Sequence, residues 1–210
     1  MIQPKTSARA QFQSFEEKTG SASVAPRIAS LRRVLMAQGL AGFVIPRSDQ
    51  HQGEYVPACD ERLAWATSFT GSAGAAIILL DKAALIVDGR YTLQSAAQTD
   101  VGVICPVQMA TQSIEAWIEA NLSAGGALGY DPWVHTQEQV ARLEKAASRA
   151  GGVLRAVSPN PIDALWQNRP VPPAGAVTLH PEAIAGESPA SKIARLRAAL
   201  AKERCDGLVI

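Results

Sequence analysis

The residue types best suited to chemistry sit in two glycine-bearing segments, Phe69-Thr-Gly-Ser-Ala-Gly74 and Asp88-Gly-Arg-Tyr91. These flank two apolar runs, Ala75–Leu80 and Ala83–Val87. Asp81-Lys82 between the runs reads as a two-residue hairpin turn, although Asp-Lys is not one of the strong turn pairs. A hairpin returns both flanks to the same end of its strands, so Asp60, Glu61, Arg62, Ser72, Asp88 and Arg90 are expected towards one edge of a sheet. Arg90 follows Gly89 at the end of a buried strand. There a guanidinium can hold a carboxylate or a peptide carbonyl with two directed hydrogen bonds. The competing reading is an ion pair of Arg90 with Asp88 or Asp60 that only stabilises the turn. The Asp49, Asp60 and Glu61 carboxylates could act as acid and base, or pair with Arg47, Arg62 or Arg90 to fix the loops. His51 could shuttle protons or be an ordinary loop histidine.

Spacing argues against other chemistries. Gly71-Ser72-Ala73-Gly74 is not a Gly-x-Ser-x-Gly elbow, it leads into a hairpin rather than a helix, and it lacks the lysine of a phosphate-binding loop. His51, His135 and His180 fall in three different segments, with no His-x-x-x-His or Glu-x-x-His pair on a helix. No catalytic residue and no metal ligand is assigned within the chain.

The elements that must position these residues follow from periodicity and capping. Arg27–Gln38 carries Ile28, Leu31, Val34 and Leu35 on one helical face and stops at Gly39. Ala41–Pro46 reads as a buried strand, Arg47–Asp60 as a long polar loop with His51 and Tyr55, and Glu61–Trp65 as a short helical turn. Beyond the hairpin come a helix over Thr92–Gln98, a strand over Val101–Val107 broken by Pro106, and a helix beginning at Ser113. A strand over Leu128–Tyr130, a helix over Gln137–Ala150 capped by Thr136, a strand over Val153–Val157 and a short helix over Asn160–Trp166 follow. This alternation, with one hairpin, predicts an α/β fold: a mixed β-sheet flanked by helices on both faces.

At 210 residues the chain can hold one generous domain, or a domain and part of another. A net charge of +1 provides no field for steering onto nucleic acid or a membrane surface, so neither is expected as a partner. No apolar run approaches the roughly 18 residues of a membrane span, and Met1–Gly20 lacks the apolar core of a secretory signal. Cys59, Cys105 and Cys205 are widely spaced and are expected to be reduced, mostly buried thiols in a cytoplasmic protein.

With Ile45-Pro-Arg-Ser-Asp-Gln-His-Gln52 ahead of it, the central stretch resembles the N-terminal domain of three-domain Xaa-Pro aminopeptidases of the creatinase/prolidase family. The resemblance is carried by Glu54-Tyr55, Cys59-Asp60-x-Arg62, Trp65, the Phe69–Gly74 and Asp88–Tyr91 segments, Gly129-Tyr130-Asp131-Pro132 and Asp163-x-x-Trp166, through most of residues 27–170. It implies a creatinase-like N-terminal domain with a ribonuclease H-like motif. It also implies an enzyme that removes an N-terminal residue preceding proline, using two divalent metal ions, manganese or zinc, held by two Asp, one His and two Glu of a C-terminal domain. No position of this chain corresponds to those ligands, so the chain alone is expected to be inactive. On the same resemblance, this part walls the substrate cleft and supports a homodimer, and Arg90 reaches the bound peptide. A prolidase or creatinase relative, and a stand-alone interaction module, remain open.

The chain also repeats itself. Lys192–Ile210 lies on Arg27–Ile45 without a gap, with Ile, Ala, Leu, Arg, Gly and Val coinciding. The expected division is therefore a tail over residues 1–21, a domain over 22–168, a proline-rich linker over 169–188, and at 189–210 the first helix and buried strand of a second, similar domain, truncated.

Overall fold

The computed structural model describes residues 21–209; all but the last residue of the expected tail, and Ile210, lie outside the described residues. Two compact units divide at Pro172/Pro173.

In the first unit α1 (Val24–Ala37) buries Val24, Ile28, Leu31 and Leu35, a 3.6-residue stripe, and ends where Gly39 takes φ +64° and Leu40 N–H bonds to Leu35 O. β1 (Gly42–Pro46) pairs antiparallel with β2 (Gly74–Leu79), which pairs antiparallel with β3 (Ala83–Val87). With β4 (Cys105–Gln108), β5 (Ala127–Tyr130) and β6 (Val153–Ala156) they form one six-stranded sheet in the order β4-β3-β2-β1-β5-β6, its outer pairings parallel. Alternate residues of the central strands feed two cores. Phe43, Ile45, Ile78 and Leu85 pack with α1 and with α2 (Arg62–Thr67) on one face. Val44, Ile77, Ile86 and Leu128 pack with α4 (Ile114–Asn121) and α5 (Gln137–Arg149) on the other. Each fully buried Ile, Leu or Phe contributes about 1.5–3 kcal/mol. The fold is the mixed sheet with helices on both faces that the alternation predicts, and α3 runs Thr92–Gln98 as expected.

Five local expectations change. The hairpin turn is Leu80-Asp81, closed by the Leu79 N–H bonding to Lys82 O at 2.9 Å just ahead of β3. The strand read over Val101–Val107 is confined to Cys105–Gln108: Asp100 turns the chain, its side chain accepting from Gly102 N–H and its carbonyl from Val103 and Ile104. Pro106 lies inside β4 rather than breaking it, since β4 is an edge strand. Asn160–Trp166 is a series of turns, not a helix; the Asn160 side chain takes the Ile162 N–H. Of the three free cysteines only Cys59 is buried; Cys105 and Cys205 are exposed, contrary to the expectation of mostly buried thiols.

The second unit contains α6 (Glu182–Ala185) and α7 (Pro189–Lys202), the latter capped by Ser188. α7 matches α1 residue for residue at the spacing of the sequence repeat, 14 residues in each. The match extends through the cap: Arg204 takes the left-handed φ of +54° where α1 has Gly39, and Cys205 N–H bonds to Leu200 O as Leu40 does to Leu35. The strand expected next does not form; Leu208 and Val209 are exposed coil.

Candidate functional site: an arginine-locked sheet edge

β2 and β3 are in register from Gly74↔Val87, so the loop entering β2 and the turn leaving β3 meet at one end of the sheet. Gly71 lies so close to Phe69 and Tyr91 that an added Cβ would overlap the Phe69 ring and sit 2.8 Å from Tyr91 Cδ1. Only glycine permits that approach. Phe69 meets Tyr91 edge to face, with centroids 5.5 Å apart, and Ser72 Oγ and Tyr91 Oη share a hydrogen bond. That bond draws the Tyr91 phenol below its ordinary pKa. Thr70 is tied to Gln98 of α3 through its N–H (2.9 Å) and its hydroxyl.

Arg90 stands on this platform. It belongs to a 3-10 turn over Gly89–Tyr91 whose N-cap, Asp88, accepts from Arg90 N–H at 2.9 Å. Its guanidinium lies 5.1 Å from the Tyr91 ring centroid and reaches back to Asp88, Nη2 to Oδ2 at 2.6 Å, while 67% of its side chain stays exposed. The hydrogen bonds from Arg90 hold the Asp88 carboxyl below its usual range, and Asp88 in return raises the arginine. The turn-stabilising pair with Asp88 therefore forms, and Arg90 does not pair with Asp60.

The remaining charges are structural in their bonding. Arg47 bonds to Glu61 at 2.9 Å and to the carbonyls of Glu54 and Ser72, linking the long loop to the glycine loop. Burial pushes the Glu61 carboxyl up, and Arg47 pulls it back. Arg62 is 9% exposed at its side chain and pairs with both Asp60 (2.8 Å) and Asp163 (2.7 Å). Burial lowers the Arg62 pKa, but the two carboxylates outweigh it and leave it raised. Arg169 bridges the same two carboxylates, at 3.1 and 2.9 Å, and donates to Cys59 O. Asp49 has no arginine partner, against expectation. Its Oδ1 accepts from the N–H groups of His51 (2.9 Å) and Gly53 (3.0 Å), while Gln52 bonds to Ser48 Oγ. The Ser-Asp-x-His-Gln run is thus a loop tied by its own side chains, and His51 is one exposed corner of it. The six groups expected in one cluster bond in separate sets: Asp60 and Arg62 with Asp163, Glu61 with Arg47, Asp88 with Arg90, and Ser72 with Tyr91. Arg169 and Asp163 were not among the expected members; Asp163 was marked only by the Asp163-x-x-Trp166 motif of the resemblance, and Arg169 by nothing.

No three His, Cys, Asp or Glu side chains among the described residues are placed to hold a metal ion. No helix among them is long and apolar enough to cross a membrane. A mixed sheet covered by helices on both faces, with its loops tied by arginine–aspartate pairs, defines an α/β domain. More particularly, the chain belongs to the Creatinase/Prolidase N-terminal domain family, whose model matches residues 27–164.

Similar proteins agree. The chain is 37% identical over 195 residues to a probable Xaa-Pro aminopeptidase P of Ajellomyces capsulatus (strain H143), covering 91% of this chain and 30% of that protein. It is 37% identical over 188 residues to its namesake in Coccidioides posadasii (strain C735), covering 88% and 29%. The chain therefore spans less than a third of these curated relatives. Among solved structures it superposes on the X-prolyl aminopeptidase of Caenorhabditis elegans, described as a cytosolic enzyme with a di-nuclear active site, with a TM-score of 0.77 and 25% identity, over 87% of this chain and 32% of that one. The N-terminal domain of the cytoplasmic peptidase PepQ from Mycobacterium tuberculosis H37Rv matches with a TM-score of 0.51 and 25% identity, over 67% of this chain and 98% of its own.

Proposed function

We propose that this chain is the non-catalytic N-terminal part of a metal-dependent Xaa-Pro aminopeptidase, cytoplasmic and homodimeric at full length, acting on peptides with proline at the second position. The observation that carries the reading is the similarity to the Xaa-Pro aminopeptidases over nine-tenths of the chain. On this reading two divalent ions, manganese or zinc, are held by the remainder of the enzyme, as the di-nuclear active site described for the Caenorhabditis elegans neighbour suggests. The creatinase-like domain starts at residue 22 and takes in Arg169 beyond the expected end at 168, the linker follows up to residue 188, and a second similar domain starts at 189; the repeated helix and cap support the last of these.

This part walls the substrate cleft and admits short peptides, with Arg90 as the residue that touches them. An arginine held at its backbone and stacked on Tyr91, yet mostly exposed, is suited to grip a peptide carbonyl or carboxylate with directed hydrogen bonds. In the longer enzyme, Arg90→Ala lowers kcat/KM for an Xaa-Pro peptide by roughly ten- to a hundredfold, the scale of one charge-assisted contact. Metal content and Tm stay unchanged, and Arg90→Lys recovers only part. A lowered Tm with normal kinetics would reduce Arg90 to a turn-stabilising residue. The 210-residue chain alone is inactive on the same peptide; turnover by it would overturn the assignment.

A further inference from the structure

The Asp88–Arg90 pair divides the arginine into a used edge and an open one. Nε bonds to Asp88 Oδ1 and Oδ2 at 3.2 and 3.1 Å, and Nη2 bonds to Oδ2 at 2.6 Å. A guanidinium carries five N–H donors, one on Nε and two on each terminal nitrogen. The Asp88 carboxylate therefore takes the Nε–Nη2 edge. Nη1 bonds to none of the described residues, and with the second hydrogen of Nη2 it forms an open end.

This grip is built into the backbone. Asp88 Oδ1 also accepts from Arg90 N–H at 2.9 Å, so one carboxylate holds the main chain and the side-chain head of the same residue. The turn is anchored next door, where Tyr91 meets Phe69 edge to face and bonds to Ser72. No other carboxylate among the described residues pairs with Arg90: Asp60 and Asp163 are held by Arg62 and Arg169, and Glu61 by Arg47. The two partners hold each other ionised, the arginine raised and the aspartate lowered, so together they carry no net charge at neutral pH.

An arginine whose charge is already matched is a different receptor from a bare one. Its open N–H groups still fit a carbonyl oxygen. An incoming carboxylate fits the same donors but meets the Asp88 charge behind them, and a like charge placed against the wrong ligand is a common source of specificity. Resting on the reading that Arg90 touches the peptide, we infer that Asp88 is the specificity-determining residue at that contact. It makes Arg90 select a neutral carbonyl, so the peptides taken are those whose chain runs on past Arg90 or ends there in an amide, rather than those that end there in a free carboxylate.

The test uses the longer enzyme with its metal bound and a series of short Xaa-Pro peptides of increasing length, each as the free acid and as the C-terminal amide. At the length that brings the terminus to Arg90, the parent has the higher kcat/KM for the amide, and Arg90→Ala removes that preference. Asp88→Asn keeps an oxygen to cap the Arg90 N–H and loses the charge. It moves the acid-to-amide ratio towards the acid by roughly three- to tenfold at that length, the scale of one unit charge near contact distance at a protein surface, and leaves Tm unchanged. A role confined to the turn lowers acid and amide alike; a ratio unmoved by Asp88→Asn at every length would overturn the inference. Arg90→Ala separates this failure from that of the reading beneath it. If it lowers turnover while Asp88→Asn leaves the ratio alone, only the inference falls; if it leaves every kcat/KM unchanged, Arg90 does not touch the peptide and both fall. Should Asp88→Asn melt early, Asp88→Ser, a comparable N-cap without charge, is read in its place.

Discussion

Arg62 and Asp163, 101 residues apart in the chain, meet through two parallel hydrogen bonds, Nε to Oδ1 at 2.7 Å and Nη2 to Oδ2 at 3.1 Å. The fork fixes orientation as well as distance. It ties the helix ahead of the glycine loop to the last turns of the domain, and Arg169 closes the ring by bridging Asp163 to Asp60.

Removing Arg62 leaves two partly buried carboxylates facing each other with one arginine between them. Arg62→Leu should lower the unfolding free energy by about 3 kcal/mol, the low end for breaking a buried ion pair because Asp60 and Asp163 keep some exposure. Urea unfolding measures it; an unchanged midpoint would mean the ring behaves like a surface pair. Arg62→Lys should restore only part, lacking the planar fork.

Arg169 lies one residue beyond the end expected for the first domain, yet it is half-buried and makes three polar contacts there. Limited proteolysis should cut first within residues 173–181, where Val177 and Leu179 are almost fully exposed. A piece ending at residue 172 should be more stable than one ending at 168 by about 1.5–3 kcal/mol, the scale of a hydrogen bond to a charged group. Equal melting temperatures for the two pieces would show that Arg169 contributes nothing.

Gly71→Ala should destabilise the domain by about 1–3 kcal/mol, because the new methyl displaces Phe69 from its core position. Ser72→Ala, which loses only the exposed bond to Tyr91, should stay within about 0.5 kcal/mol. Thermal melts of the two variants side by side check the contrast, and equal effects would show that the loop yields at no cost.

The N–H groups of Gly53 and His51, with the nearby His51 ring, hold the Asp49 carboxyl below its ordinary value of 3.8. A carboxyl with a depressed folded-state pKa contributes stability that is complete above 3.8 and is lost as pH falls through the lower, folded value. Asp49→Asn keeps an acceptor but removes the charge. It should therefore cost about 1 kcal/mol at pH 7, and the gap to the parent should close as pH drops below 3.8. A gap independent of pH would assign the cost to shape rather than charge.

What the sequence made legible was local. α3 was readable to the residue, and Thr136 and Ser113 announced their helices because N-cap side chains act within three residues. Even the repeat of α1 in α7 was visible, since both the stripe and its spacing are written in order. The errors also have local causes: Asp100 and Asn160 bond to the backbone beside them, and that competition outweighed the apolar pattern around each. The site was half legible. Glycine turns around a hairpin put Ser72, Asp88 and Arg90 at one edge. Nothing in the order of residues pairs Arg62 with Asp163, or brings Arg169 to both Asp60 and Asp163, because those depend on how separate elements close upon one another.

The proline in β4 has a consequence for how the molecule meets its own kind. Met109 N–H turns inward to Val87 O, so by alternation along the strand the ring nitrogen of Pro106 faces outward, where an amide hydrogen would otherwise be offered. A further strand arriving at that margin would find a gap in the row of donors it needs. Fibrous growth from this side of the sheet is thereby discouraged by one ring closure, at no cost to the parallel ladder within.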